Sequence, residues 1–362
     1  MAIANPSNAP ATVRIDVTAL DGTALEVSSP ISIPAGGQIA AFLNQLSGLE
    51  SVPVGFQGVA RLTVLSGSGV TAASFRLFRN ERSELLATTT GPLNENAGMP
   101  GHLVFPYLTD STGYTTQFVL INPPGTQTGS GILRYWAVDA TPLQVDALKL
   151  GSIQVVPFQG FATPHTHVVM NHTDGGVLTS IIGVEGQIPA KTLRMFADAQ
   201  GDFDPGTARS TRSGVALANP ASAPVSVTFQ MRSLDGTLLR TSQPLVVPAN
   251  GQVSLALNSI PGFESLAAPF EGVLTVTSNS NQGITAAGFH LVNNERGNIL
   301  FTAIGPLKED AGATQQVVFP HIAEGGGYTT QFVVISGDQA NTGVLSFFSE
   351  DGNPLNLTLA PR

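Results

Sequence analysis

The sequence predicts an all-β protein made of tandem immunoglobulin-like β-sandwich units in two duplicated modules. Three observations carry this expectation. The first is period-two alternation: Val225, Val227, Phe229 and Met231 alternate with Ser226, Thr228, Gln230 and Arg232, giving a strand one apolar face. The second is punctuation, since 39 Gly and 25 Pro in 362 residues break the chain into short runs. The third is self-similarity at a fixed offset of 214 residues.

The repeat organises the chain. Ile3-Ala4-Asn5-Pro6 returns as Leu217-Ala218-Asn219-Pro220, and Asp21-Gly22-Thr23 as Asp235-Gly236-Thr237. Asn80-Glu81-Arg82 returns at 294–296, and GYTTQFV at 113–119 returns at 327–333. The register is ungapped for about the first 125 residues, after which a two-residue slip brings GILRYW (131–136) over GVLSFF (343–348). Each module holds two related units. Asn-Pro follows an apolar run at 5–6, 122–123 and 219–220, with Ser336-Gly337 in the fourth place. An alternating strand then leads to Asp21-Gly22, Asp139-Ala140, Asp235-Gly236 and Asp351-Gly352. Gly takes the positive φ of such a turn at no steric cost. The expected units are therefore 1–100, 101–213, 214–314 and a partial one at 315–362.

In the third unit the pattern predicts strands at 215–218, 225–233, 238–247, 252–257, 272–278, 283–292 and 298–304. Seven short strands in under a hundred residues suit an immunoglobulin-like sandwich, and a β-propeller is the alternative. No amphipathic helix longer than about two turns is expected. The phrases ALANPASAPVSVTF, SLDGTLL, VPANGQ, NNERG and GGGYTTQFVV resemble repeats of large secreted or cell-surface proteins of soil bacteria. That resemblance covers nearly all of the chain. It implies tandem β-sandwiches outside the cell and assigns no catalytic residues.

Composition narrows the function classes. The net charge is −9, with 16 basic residues against 25 acidic ones; a duplex nucleic-acid binder needs a basic stripe, and an anionic membrane would repel this chain. Charged residues are only 11% of the total, yet 42% are hydrophobic, which favours packed cores over disorder. With no Cys there is no disulfide framework, thiolate zinc site or thiol nucleophile. No run is long and apolar enough for a membrane span. A strand-like run follows Met1 directly, so the expectation is a mature segment given a start Met, working in the secreted or cell-surface compartment.

Candidate sites are few. His165 and His167 form an HxH pair, which on a strand places both imidazoles on one face, and His172 would fold back across a turn as a third ligand. Asp174 or Glu185 would add an oxygen; the competing reading is a polar strand facing solvent. Asp198, Asp202 and Asp204 cluster as a calcium ion wants, but the spacing departs from the EF-hand pattern and a solvated linker competes. No cofactor is otherwise expected beyond such a divalent zinc or calcium ion. Asn80-Glu81-Arg82 reads as a turn with charges paired across a hairpin or a unit interface. Tyr135 and Trp136 would make a sugar-stacking platform, but Phe347 and Phe348 stand in the equivalent places, which favours core packing. There is no GxSxG, P-loop, HExxH or dinucleotide fingerprint.

The first functional expectation is thus a non-catalytic extracellular repeat protein acting as spacer, adhesive or assembly module, with protein surfaces or polysaccharide as partners. The alternatives are a metal-dependent hydrolase using the histidines of the second unit and a carbohydrate-binding array. The fourth unit has no counterpart of 151–213 within the 362 residues. Its uncovered strands are expected to be covered by another protomer, which would give a homo-oligomer.

Overall fold

The computed structural model describes residues 1–95, 101–110, 113–121, 130–143, 150–159, 161, 163–201, 203, 207–309, 316–335 and 343–357. The described residues are nearly all β, in open sheets, and among them no sheet closes into a barrel or propeller. The chain gathers into two compact units. One comprises Met1–Arg76, Thr89–Leu93 and Ala313–Arg362, the other Leu77–Thr88 and Asn94–Gly312.

The first strands are β1 (Ala2–Ala4), β2 (Ala11–Ala19), β3 (Ala24–Val27), β4 (Ile31–Ile33), β5 (Gln38–Ala40), β6 (Gly58–Ser66), β7 (Thr71–Arg79) and β8 (Leu85–Thr90). One sheet has the order β5-β1-β7-β8; in the other, β2 carries β3 and β4 on one edge and β6 on the opposite edge. Alternation decides which face goes inward. Val13, Ile15 and Val17 are buried with Ile3, Ile33 and Leu49, whereas Arg14 and Asp16 pair on the outer face of β2.

The second unit continues with β9 (Leu103–Thr109), β10 (Tyr114–Ile121), β11 (Gly131–Ala137), β12 (Leu150–Pro157), β13 (His165–Asp174), β14 (Val177–Glu185), β15 (Thr192–Gln200) and β16 (Thr211–Ala218). It then runs through β17 (Val225–Ser233), β18 (Leu238–Thr241), β19 (Leu245–Val247), β20 (Gln252–Ala256), β21 (Phe270–Ser278), β22 (Thr285–Asn293), β23 (Ile299–Ile304) and β24 (Leu307–Lys308). A ten-stranded sheet has the path β18-β17-β21-β15-β16-β22-β23, with β19, β20 and β24 added at the sides of β17, β16 and β15. It wraps a core containing Leu193, Met195, Val215, Phe229, Phe263, Leu274 and Val276. The opposite face of β16 and β22 is covered too. There Ala216, Ala287 and Phe289 join Leu103, Phe105 and Leu108 of β9 and Val168 and Met170 of β13 in a second core. Strands buried on both faces lose their polar alternation, which is why GVALA and TAAGF are continuous runs of small and apolar residues. Two short strands, β25 (Phe347–Phe348) and β26 (Pro354–Leu355), form a hairpin in the first unit.

Strand registers recur at the sequence offset. Ile3 stands opposite Ile39 and Ala72, as Leu217 stands opposite Val253 and Ala286. Val13 faces Val64 and Ile31, as Val227 faces Ser278 and Leu245. The expected strand over 238–247 is two strands, because Ser242 turns inward between them. Its N–H donates to the Phe229 carbonyl at 2.9 Å, and its hydroxyl accepts from Phe229 N–H at 2.8 Å. Pro244, with no N–H to offer, follows. Ser28 does the same with Ile15.

All four expected Asp-Gly turns share one geometry. The residue two before the Asp both accepts from the Gly-position N–H and donates to the residue after it: Ala19 with Gly22 and Thr23, Ala137 with Ala140 and Thr141, Ser233 with Gly236 and Thr237, Ser349 with Gly352 and Asn353. The third residue lies at positive φ in each, from +65° at Ala140 to +88° at Gly236.

Candidate functional site

The recurring Asn residues are hubs for the backbone. Asn5 Nδ2 donates to the carbonyls of Ala9, Ile33 and Pro34, at 2.8, 3.2 and 2.9 Å, and its Oδ1 accepts from Ser7 N–H. Asn219 makes the same set with Ala223, Val247, Pro248 and Ala221. Both are 1% exposed. A loop and two strand ends thus hang on one amide that satisfies backbone groups no sheet pairs.

Asn80-Glu81-Arg82 closes the β7–β8 turn. Asn80 Oδ1 accepts from the N–H groups of Arg82 and Glu84, as Asn294 Oδ1 accepts from those of Arg296 and Asn298. The tip also binds its own unit. Asn80 Nδ2 donates to the Leu178 carbonyl at 3.0 Å, and Leu178 N–H donates to Glu81 Oε2 at 2.9 Å. That bond holds the Glu81 carboxyl below its ordinary pKa. Arg82 reaches Asn298, and Arg296 pairs with Glu84.

The three histidines lie on β13. His165 and His167 share the face opposite Val168 and Met170, and His167 stands across from Glu185. Burial lowers the His167 pKa, against an upward pull from Glu185. His172 turns elsewhere: its Nδ1 lies 2.8 Å from Thr179 Oγ1, and its ring packs on Tyr114 with centroids 4.3 Å apart. Burial lowers its pKa as well. Among the described residues, no three His, Cys, Asp or Glu side chains gather where they could hold a metal ion.

Asp202 and Asp204 lie outside the described residues. Asp198 lies on β15, 6% exposed. Its Oδ1 accepts from Ser213 Oγ at 3.2 Å and sits 3.1 Å from His290 Nε2, within ion-pair range but out of line for a hydrogen bond. Ser213 and His290 face each other across β16 and β22. No sequence pattern marks this grouping: Asp198 and Ser213 lie on consecutive strands, but His290 comes from β22, 77 residues beyond Ser213, and only the β16–β22 register brings it there. It is not a nucleophile relay: Ser213 is 2% exposed and directs its hydroxyl to the carboxylate.

Tyr135 belongs to an aromatic ladder. Phe105 meets Phe118 at 6.3 Å, and Phe118 meets Tyr135 at 6.1 Å, both edge to face. Burial raises the Tyr135 pKa. The first unit has the same ladder in Phe319, Phe332 and Phe347, each step 5.7 Å. Trp136, the next residue on β11, is half-buried and takes no part in the ladder's ring contacts. Tyr107 on Phe289 (4.5 Å) is likewise matched by His321 on Phe75 (5.4 Å), each 214 residues away.

No protein-family model, curated protein or solved structure matches the chain.

Proposed function

We propose that the chain is a non-catalytic β-sandwich repeat protein, secreted or displayed at the cell surface, that serves as an assembly module and spacer. The observation that carries this reading is where the repeated polar residues spend their hydrogen bonds. Asn5, Asn219, Asn80 and Asn294, with the turn residues Asp21, Asp139 and Asp235, all bond to the backbone of this chain. Residues that the duplication kept in register are those that hold turns and strand ends. Multiplying such units lengthens a protein and multiplies weak contacts, whose combined avidity exceeds that of any one.

Fractionation and surface biotinylation of the source cells test the location; recovery in the cytoplasm alone would overturn it. Metal analysis of the purified protein, with a panel of ester and glycoside substrates, tests the chemistry. Turnover that a chelator abolishes would replace this reading with hydrolysis through the β13 histidines, and a positive glycan array would replace it with carbohydrate binding.

A further inference from the structure

On one face of the sheet β11-β12-β9, Leu133, Tyr135, Ile153, Val155 and Phe105 turn toward the core. Leu133, Tyr135 and Phe105 return in the second module as Leu345, Phe347 and Phe319. The opposite face alternates with this one and carries Arg134 and Trp136 of β11, Ser152 and Gln154 of β12, and His102, which immediately precedes β9. Here the modules differ. The second has Gln316, Ser346 and Phe348 in the places of His102, Arg134 and Trp136. The imidazole, guanidinium and indole of this face therefore belong to the first module alone.

The face is built around buried polar groups. Trp136 stands directly across from Ser152, and exposed Arg134 directly across from Gln154. Ser152 and Gln154 are 1% and 3% exposed. Opposite Ser152, β9 bulges at Pro106-Tyr107, which takes Ser152 out of the ladder on that side. Burial lowers the His102 pKa, with Arg134 acting in the same direction and Gln154 against it, so the three side chains are neighbours. Yet Trp136 Nε1, Ser152 Oγ and His102 Nε2 are buried without a hydrogen-bond partner. Buried polar groups are nearly always paired, and leaving one unpaired costs stability.

These groups state what they would bind. An indole N–H only donates, a hydroxyl can donate, and a neutral imidazole donates from Nε2 when its Nδ1 accepts. Beside them Arg134 supplies a fixed positive charge. Donors next to a guanidinium complement a carboxylate. Trp136 is half-buried with its N–H atom fully covered, so it offers no open ring face for a sugar to stack on. A slim acidic side chain reaches such atoms more readily than a sugar ring does.

We infer that the outer face of β9, β11 and β12 is a docking site for an acidic segment of a partner protein. Its Asp or Glu carboxylates meet Arg134 and His102 on one side of the face and the Trp136 and Ser152 donors on the other. This inference rests on the assembly reading above and names the chemistry of the partner.

Trp136 is the only Trp of the 362 residues, so the intrinsic fluorescence of the whole protein reads this face directly. The probes are an acetylated, amidated octapeptide of alternating Gly and Glu, the same peptide with Gln for Glu, and tetragalacturonate. The Glu peptide is expected to change the Trp136 emission saturably, with half-saturation at about 100 μM in low salt and weaker binding as salt rises. The Gln peptide and tetragalacturonate should leave the emission unchanged. Arg134→Ser and His102→Gln install the residues of the second module, and each should weaken the Glu peptide about tenfold. Arg134 is exposed, so Arg134→Ser should melt at the wild-type temperature. No saturable response to the Glu peptide, an equal response to the Gln peptide, or unchanged affinity in Arg134→Ser would overturn the proposal. A response to tetragalacturonate alone would overturn it in favour of an acidic sugar. Cell-surface recovery without a peptide response would sink this inference and leave the assembly reading standing.

Discussion

Arg82 donates from Nη1 to Asn298 Oδ1 across 2.8 Å, and the residues 214 positions away from each, Arg296 and Glu84, pair in the opposite sense. The two turn tips therefore touch as copies in an isologous interface do, residue i on j and j on i. Both Arg side chains are anchored by a turn whose Asn fixes the backbone beneath them.

A double-mutant cycle on Arg296→Ala and Glu84→Ala should give a coupling of about 0.5 kcal/mol, because Arg296 is largely exposed and solvent screens the pair. Urea denaturation at low and high salt measures it. A coupling that does not fall with salt would mean that the pair is not acting through charge.

Ala140 occupies the positive-φ position where the other three turns carry Gly. Ala140→Gly should stabilise the second unit by roughly 0.5–1 kcal/mol, the relief of left-handed strain exceeding the entropy that Gly adds to the unfolded chain. The reverse change, Gly236→Ala, should cost a similar amount although nothing lies within 4 Å of its Cβ position. Thermal denaturation of both variants checks the sign. Destabilisation by Ala140→Gly would contradict the shared turn geometry.

Asn219→Ala removes a donor on which three carbonyls converge, two of them at the end of β19. The expected loss is about 2–4 kcal/mol, since the acceptors are left buried and unpaired. Amide exchange should accelerate around β16, β19 and β20, and Asn5→Ala should do the same to β1, β4 and β5. An Asn219→Asp variant that behaves like wild type at neutral pH would deny the Nδ2 its role.

Burial holds His102, His167 and His172 below their ordinary pKa. The unfolded chain takes up protons near pH 6.5, while the folded one resists until lower pH. The stability of the second unit is thus full above about pH 6.5 and falls as pH drops through the lowered values. A separate loss follows in the acid range as Asp235, held down to about 2 by Ser233 and Thr237, and Asp21 and Glu264 are protonated. Denaturation midpoints from pH 8 to 3 should show both steps, with the first reduced in a His102→Gln, His167→Gln variant. Stability that rises between pH 7 and 5 would contradict the assignment.

Much of the fold was legible in the sequence, and specific residues show why the rest was not. Alternation over 225–233 located β17 residue for residue, because one buried face imposes its period on the strand. The turn signals found all four hairpins, including the Gly-less one at Asp139-Ala140. What alternation cannot name is the partner. TLRMFADAQ falls within the expected unit 101–213, and its end was read as the start of a solvated linker, yet it is a strand that pairs with β21 some eighty residues on. Nor does the sequence reveal that Phe75 meets His321, since adjacency in the chain suggests other neighbours. The histidines of β13 showed the same limit: period two put His165 and His167 on one face, but the bond of His172 to Thr179 depends on the β13–β14 hairpin register.

The most direct test of the account is amide hydrogen exchange in the protein alone, comparing β6 with β21. Their sequences are in register, but β21 is paired on both edges, whereas among the described residues β6 is paired by β2 alone. Protection is expected along the whole length of β21, whereas in β6 it should alternate, with every second amide between 58 and 66 exchanging quickly. Uniform protection of β6, equal to that of β21, would contradict the strand pairing described for the first unit.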